Sequence, residues 1–302
     1  MSDKKLEERV RTTPLYKKLI FPAFLSVAIG ITGYNIISFG RTIAAVREAN
    51  KYYDEGVSLF KRGEVDEAAQ LFRKAIESDP EHAAAHSDLG NTFFLKGELE
   101  KAIEEYNTAL ELDPKSASTY NNLSTIYLIK GEPKKVVPLL RKAIEFGLED
   151  SGTYCSLGTS LIMLEDYDGA IKVLETAILL DPKNISAYNN MGYALSQKGD
   201  YDGAIKEHEA ILRIDPENGS AYSNMGTGLL KKKKYDKAIE AYKKALSLGH
   251  EHAYTYAGIG MALENKGDFD GAKNAFSKAL ELDPNYEETK DSLHSLDFIQ
   301  DI

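Results

Sequence analysis

A chain of 302 residues with 37 Lys and Arg against 47 Asp and Glu carries a net charge of −10 at pH 7. The first 48 residues hold eight basic and four acidic residues, net +4, which leaves −14 for the remainder. An acidic body excludes a binder of nucleic-acid backbones, which needs clustered cations, and fits basic or neutral protein partners.

Residues 1–18 are a charged N-terminal segment. From Ile20 to Gly40 no residue is charged, and with Leu19 the run reaches the length of about 20 residues that spans a bilayer core. Pro22, Gly30 and Gly33 are tolerated in such a helix, and Tyr34 and Phe39 lie where aromatic side chains favour the interface. Ser38-Phe39-Gly40 and Ala28-Ile29-Gly30 carry small residues suited to a signal peptidase. The run is nevertheless longer than the apolar part of a cleaved signal peptide, about 7–15 residues. The expectation is a single uncleaved transmembrane helix over 19–40, a signal anchor. Lys4, Lys5, Arg9, Arg11, Lys17 and Lys18 precede it, and only Arg41 and Arg47 come closely after it. That asymmetry keeps the N-terminus in the cytoplasm and sends the rest to the opposite, periplasmic or extracytoplasmic side. Residues 41–48 read as a juxtamembrane helix, joined to the span through a break near Gly40 and continuous with the helical residues from Ala49 onward.

From position 49 to 286 a 34-residue pattern recurs seven times without insertion: 49–82, 83–116, 117–150, 151–184, 185–218, 219–252 and 253–286. Its markers are Ala75, Ala109, Ala143, Ala177, Ile211, Ala245 and Ala279, then Gly56, Gly90, Ser124, Gly158, Gly192, Gly226 and Gly260, then Pro80, Pro114, Pro182, Pro216 and Pro284. A fixed period of this size means stacked supersecondary units that bury a core only together. In the fifth unit Tyr188, Met191 and Leu195 recur at helical spacing. Gly199 suits a left-handed cap, Asp200 or Asp202 caps the next helix, and Ala204, Ile205, Ile211 and Leu212 supply its apolar face. Asp215-Pro216 stops that helix, because the residue before proline resists helical geometry. Each unit is therefore helix–turn–helix. Glu287–Ile302 reads as a capping helix with Leu293, Leu296 and Ile299 toward the last unit and Glu287, Lys290, Asp291, His294 and Asp301 toward water.

The second unit (Leu89-Gly90, Phe93, Ala102, Tyr106, Ala109, Pro114) and the seventh (Tyr256, Ile259-Gly260, Leu263, Ala272, Phe276, Ala279, Pro284) closely resemble the tetratricopeptide repeat family. The likeness covers about four-fifths of the chain. It implies an all-α, right-handed superhelical solenoid of seven repeats with a C-terminal cap, preceded here by the single transmembrane helix. It also implies that the first helix of each unit lines a concave groove for segments of partner proteins.

Several units depart from the pattern. In the third, Pro133 suits a first helical turn, whereas Pro138 is expected to kink the second helix or delay its start. There Val136 replaces a small residue and Leu148 the closing proline, which predicts altered curvature. The sixth has Lys231–Lys234 in place of a turn glycine, a solvated turn or a site for an acidic partner. Cys155, the single cysteine, reads as a small buried side chain. His86 and His208 fill aromatic slots, while His82/His86 and His250/His252 lack a third metal ligand, so neither metal nor cofactor is expected. Gly226-Thr227-Gly228 comes after no strand and is no phosphate loop. Asn122-Leu-Ser would place a glycosylation signal inside a helix.

The candidate site lies on the first helices. Asn122, Asn190 and Asn224 share one slot, held by Asp88 in the second unit, and amides there could serve an extended peptide backbone. Seven residues on stand Lys61, Leu95, Ile129, Met163, Gln197, Lys231 and Asn265, so units two to four present an apolar strip that Phe94, Leu128 and Ile162 extend. Asn91 and Asn122 also fill the asparagine slots that some family members use to read acidic chaperone tails. The accompanying basic slots hold Ser87, Gly152 and Ser156, so that ligand is not expected. No Ser/His/Asp, Cys/His or carboxylate cluster stands out, which favours a non-catalytic, membrane-held adaptor that docks protein segments. A self-assembling membrane-surface coat built on the same strip, or a regulatory or chaperone-like subunit of an envelope machine, is the alternative.

Overall fold

The computed structural model describes residues 33–300, which form fifteen α-helices and, among the described residues, no strand. They are α1 Gly33–Lys61 and α2 Val65–Ser78, α3 Ala83–Leu95 and α4 Leu99–Leu112, α5 Ala117–Ile129 and α6 Pro133–Glu145. Next come α7 Ser151–Met163 and α8 Tyr167–Leu180, α9 Ile185–Gln197 and α10 Tyr201–Ile214, α11 Gly219–Lys231 and α12 Tyr235–Ser247, α13 Ala253–Asn265 and α14 Phe269–Leu282, and last α15 Glu287–Gln300. Every unit is thus a helix pair, as its period requires. The chain divides into two compact bodies, the first ending at Ile126 and the second beginning at Tyr127, within α5.

Most of the expected membrane span, 19–32, lies outside the described residues. Among those described, no helix is long and apolar enough to cross a membrane. Where the sequence suggests a break near Gly40, the structure has none: α1 runs unbroken for 29 residues, so the expected juxtamembrane helix and the first helix of the first unit are one element.

In every unit but the third, where Ser124 stands, the two helices touch where the marker glycine removes a side chain. A Cβ on Gly90 would lie 2.7 Å from the Tyr106 ring, one on Gly158 2.6 Å from Leu174, and one on Gly260 2.5 Å from Phe276. In the first body Ala49, Ala75 and Ala85 are fully buried around one such junction. In the second, Val136, Leu140, Leu157, Leu161, Leu174 and Met191 form a core shared by successive pairs, with the Cys155 thiol among them, as expected. Leu296 of α15 is buried against Ala272 and Phe276, with Leu293 beside it, so the cap closes the last pair. Ile299 and Asp301 fall outside the described side chains.

Two kinds of stop end the second helices. Asp79, Asp113, Asp181, Asp215 and Asp283 leave helical geometry before a proline, all but Asp113 in extended backbone, and each donates its N–H to the carbonyl four residues back. The third and sixth units use glycine: Gly147 (φ 99°) and Gly249 (φ 79°) let Leu148 and His250 donate back to Ala143 and Ala245 at 2.9 and 3.0 Å. Pro138 does not delay α6. The helix starts at Pro133, a position whose N–H has no helical partner, and carries Pro138 in its interior.

Candidate partner-binding site

The first helices carry every candidate residue, and their last turns differ as the sequence suggests. Leu95 at the end of α3 is 60% exposed, Ile129 at the end of α5 61%, and Met163 at the end of α7 47%. Phe94, one residue earlier than Leu95, is half-buried, as are Leu128 and Ile162. Leu128 and Ile162 pack onto the core of the second body, so the apolar surface offered to solvent is narrower than the sequence strip.

The asparagines do more between repeats than their slot implies. In the first body the Asn122 side chain donates to Asn91 Oδ1 at 2.8 Å, 31 residues away. The Tyr106 hydroxyl donates to the same oxygen at 2.7 Å, and Asn91 Nδ2 in turn donates to Asp88 at 2.9 Å. Tyr53 donates to the other Asp88 oxygen at 2.9 Å. Burial pushes the Asp88 carboxyl up, opposed by the two donors that favour its ionised form. Four helices thereby share one polar network. In the second body Asn190 donates to Thr159 at 2.8 Å, again 31 residues away, and approaches the Cys155 sulfur at 3.6 Å. Burial pushes that thiol up. Asn122 and Asn190 are therefore staples between adjacent first helices before they are ligand contacts.

Asn224 is the exception. Its staple partner would be residue 193, which is a tyrosine, half exposed at 50%. A phenol cannot reproduce the compact acceptor of Asn91 or Thr159, and the described structure gives Asn224 no side-chain hydrogen bond. The half-buried Asn224 amide and the Tyr193 ring belong to adjacent helices of one body. Tyr193 is a residue that the sequence reading misses, although a tyrosine among Thr125, Thr159 and Thr227 at one period is the available signal.

The histidines serve the fold. His82 caps α3 by accepting from Ala85 N–H at 3.2 Å. His86 meets Glu105 at 2.7 Å, a hydrogen bond that raises its pKa, and its other nitrogen lies 3.3 Å from the Pro80 carbonyl. Tyr120, one period on, sends its hydroxyl to Pro114 at the same distance. Asn184 and Asn218 cap α9 and α11.

A feature that the 34-residue register hides is an ion-pair ladder. Lys96 reaches Asp66 at 2.6 Å, 30 residues back in the neighbouring unit. Lys198, Lys232 and Lys266 pair in the same way with Asp168, Asp202 and Asp236. These pairs are exposed and contribute little stability each, but each ties two neighbouring units: the first to the second in the first body, and the fourth through the seventh in the second. Lys232 is thus committed, and the lysine run of the sixth unit divides: one member pairs and its neighbours remain in solvent.

Comparison with known proteins agrees with this architecture. Tetratricopeptide repeat models match residues 53–117, 105–136, 183–248 and 253–286, and a TPR repeat model matches 158–199. The solved structure of YrrB, described as a TPR protein with an unusual peptide-binding site, is 30% identical over 66% of this chain and 99% of its own, with a TM-score of 0.58. MamA from Desulfovibrio magneticus RS-1 is 26% identical over 56% of this chain and 96% of its own, at a TM-score of 0.52. The C-terminal part of a TPR repeat-containing protein from Cytophaga hutchinsonii shares the fold at 16% identity and a TM-score of 0.64, over 80% of this chain and 99% of its own. A comparison with curated protein sequences finds no match. By its period, its helix pairs and its likeness to YrrB over nearly all of that protein, the chain belongs to the tetratricopeptide repeat family.

Proposed function

We propose that the chain is a non-catalytic adaptor that docks segments of partner proteins on its first helices and is held at a membrane by the segment before them. Proteins of this fold generally mediate protein–protein interactions, and YrrB is described with a peptide-binding site. The observation that carries the reading is the exposure of Leu95, Ile129 and Met163 at one position of their helices, where other units carry Lys61, Gln197, Lys231 and Asn265. In each body an exposed aliphatic side chain at this repeated position, Leu95 in the first and Ile129 and Met163 in the second, suits a partner segment that covers it. Asn224 and Tyr193 add an uncommitted amide and an accessible ring.

The membrane assignment rests on the uncharged run from Ile20 to Gly40 and on the basic residues ahead of it. On that basis the repeats lie across the membrane from the N-terminus. Protease treatment of intact cells stripped of any outer layer should cleave the repeats, and full protection would reverse the topology.

The docking reading is tested by photo-crosslinking from Met163 in the full chain, followed by purification. The combined variant L95E/I129E/M163E should keep its helix content and lose the crosslinked partner. Undiminished capture would remove these side chains from the function.

A further inference from the structure

We propose that a second docking site lies between α10 and α12, and that it takes an acidic peptide segment anchored by an apolar side chain. The two helices flank an open groove of about 900 Å³. Its floor is the face of α11 bearing Tyr222, Met225 and Leu229, three half-buried side chains at helical spacing. Ile205 and Ala241 continue the apolar surface up the two walls. The rim is cationic: Lys206 stands on one side, and Lys234, Lys237 and Lys244 on the other, all exposed and, among the described residues, in no ion pair.

Lys234 occupies a position that local stability disfavours. It is the residue before α12, and it makes no side-chain cap. The other six units have an acid there: Glu64, Glu98, Glu132, Asp166, Asp200 and Asp268. Those acids suit the positive end of the helix dipole, and Asp166, Asp200 and Asp268 accept a backbone N–H from the first turn. Lysine supplies no acceptor and places a like charge against that dipole. Its neighbour Lys233 holds φ 58°, where five other units use glycine. Two unfavourable choices in one turn set cations at the mouth of an apolar groove, on a chain of net charge −10.

Charge complementarity selects an anionic occupant, and the floor selects one with an apolar anchor. Asp202, Glu209 and Glu240 also line the groove, Asp202 already paired with Lys232. They break the cationic rim into separate points, which suits spaced carboxylates and opposes a continuous phosphate backbone. This site is separate from Leu95, Ile129 and Met163, none of which lines it.

The test uses the purified full-length chain in non-ionic detergent and the fluorescein-labelled peptide Glu-Asp-Phe-Glu-Glu-Leu-Asp-Glu-Phe-Glu-Asp-Glu, read by anisotropy. Saturable binding is expected, weakening as salt rises from about 50 to about 500 mM. The variant K234D/K237E/K244E should bind about tenfold or more weakly. Lys234→Asp alone should weaken binding while raising the melting temperature, because it restores the missing cap, so lost binding cannot be put down to unfolding. L95E/I129E/M163E should bind the peptide as the parent does, which separates this site from the first. The proposal is overturned if the acidic peptide does not bind saturably, or if a version with lysine for every acid binds equally. Equal binding by a version with serine for Phe and Leu, or tighter binding by oligodeoxythymidine, would overturn it too.

Discussion

The imidazole of His208 rests on the backbone of Gly192, so closely that a methyl group on that glycine would come within 2.8 Å of Cε1 and Nε2. The same slot holds Phe72 over Gly56, Tyr106 over Gly90 and Tyr242 over Gly226. In each of these units a flat ring closes the pair by lying against a bare stretch of helix, and the histidine does so in the fifth.

Gly192→Ala should therefore destabilise the chain by about 1–3 kcal/mol, although alanine is the better helix former by about 1 kcal/mol. Urea unfolding of the single variants and of G192A/H208A checks it. The double variant should recover part of the loss, because the smaller side chain at 208 admits the new methyl. A neutral G192A would show that the contact yields without cost.

Acid should loosen the same junction. His208 is buried with Nδ1 unbonded, and burial pulls its pKa down to about 4. The unfolded chain takes up that proton near pH 6.5, so it binds more protons than the native one between about 6.5 and 4. Stability is present above that window and lost as pH falls through it, by about 3 kcal/mol at full extent. His208→Phe, which copies the first and seventh units, should flatten this part of the profile. An unchanged slope in H208F would assign the acid sensitivity to other groups.

Pro138 is exposed inside α6, where it withholds the amide that the Lys134 carbonyl would otherwise receive. Pro138→Ala restores the bond without removing buried surface. It should stabilise by about 1–2 kcal/mol, less than the full helical penalty of proline because the unfolded chain gains freedom. Thermal unfolding reads this directly, and a lowered midpoint would mean that the ring is needed where it stands.

Glu165 and Lys233 have φ 61° and 58° at the turn where Gly63, Gly97, Gly131, Gly199 and Gly267 stand. Only glycine enters that region without a Cβ penalty. Glu165→Gly and Lys233→Gly should each stabilise by about 1 kcal/mol, and Gly63→Ala should do the reverse. Equal stability of all three variants with the parent would rule out strain at this turn.

Much of this is legible in the sequence because stacking repeats one geometry. The 34-residue register alone locates the helix pairs, the Gly199 cap and the Asp215-Pro216 stop. It also places Leu95, Ile129 and Met163 on the surface, because a leucine where a lysine normally stands is not needed for the core. Contacts that bridge units are harder to see. The shared slot of Asn122 and Asn190 points to a ligand, whereas their amides turn sideways to partners 31 residues earlier, a spacing that a 34-residue comparison never aligns. The lysine ladder at 30 residues is hidden for the same reason. Gly40 suggests a break because glycine weakens helices in isolation, yet α1 runs through it into the Ala-, Arg- and Glu-rich stretch that begins at Ala44.

That unbroken helix has a mechanical consequence. At about 1.5 Å per residue, the 29 residues of α1 make a rod of roughly 43 Å. Its far end carries Ala49, buried at the first junction, and Gly56, pressed against Phe72. A pull or twist applied at Gly33 meets no joint before it reaches these contacts. The first repeat is then loaded directly, with α1 as lever and the ring of Phe72 as its seat.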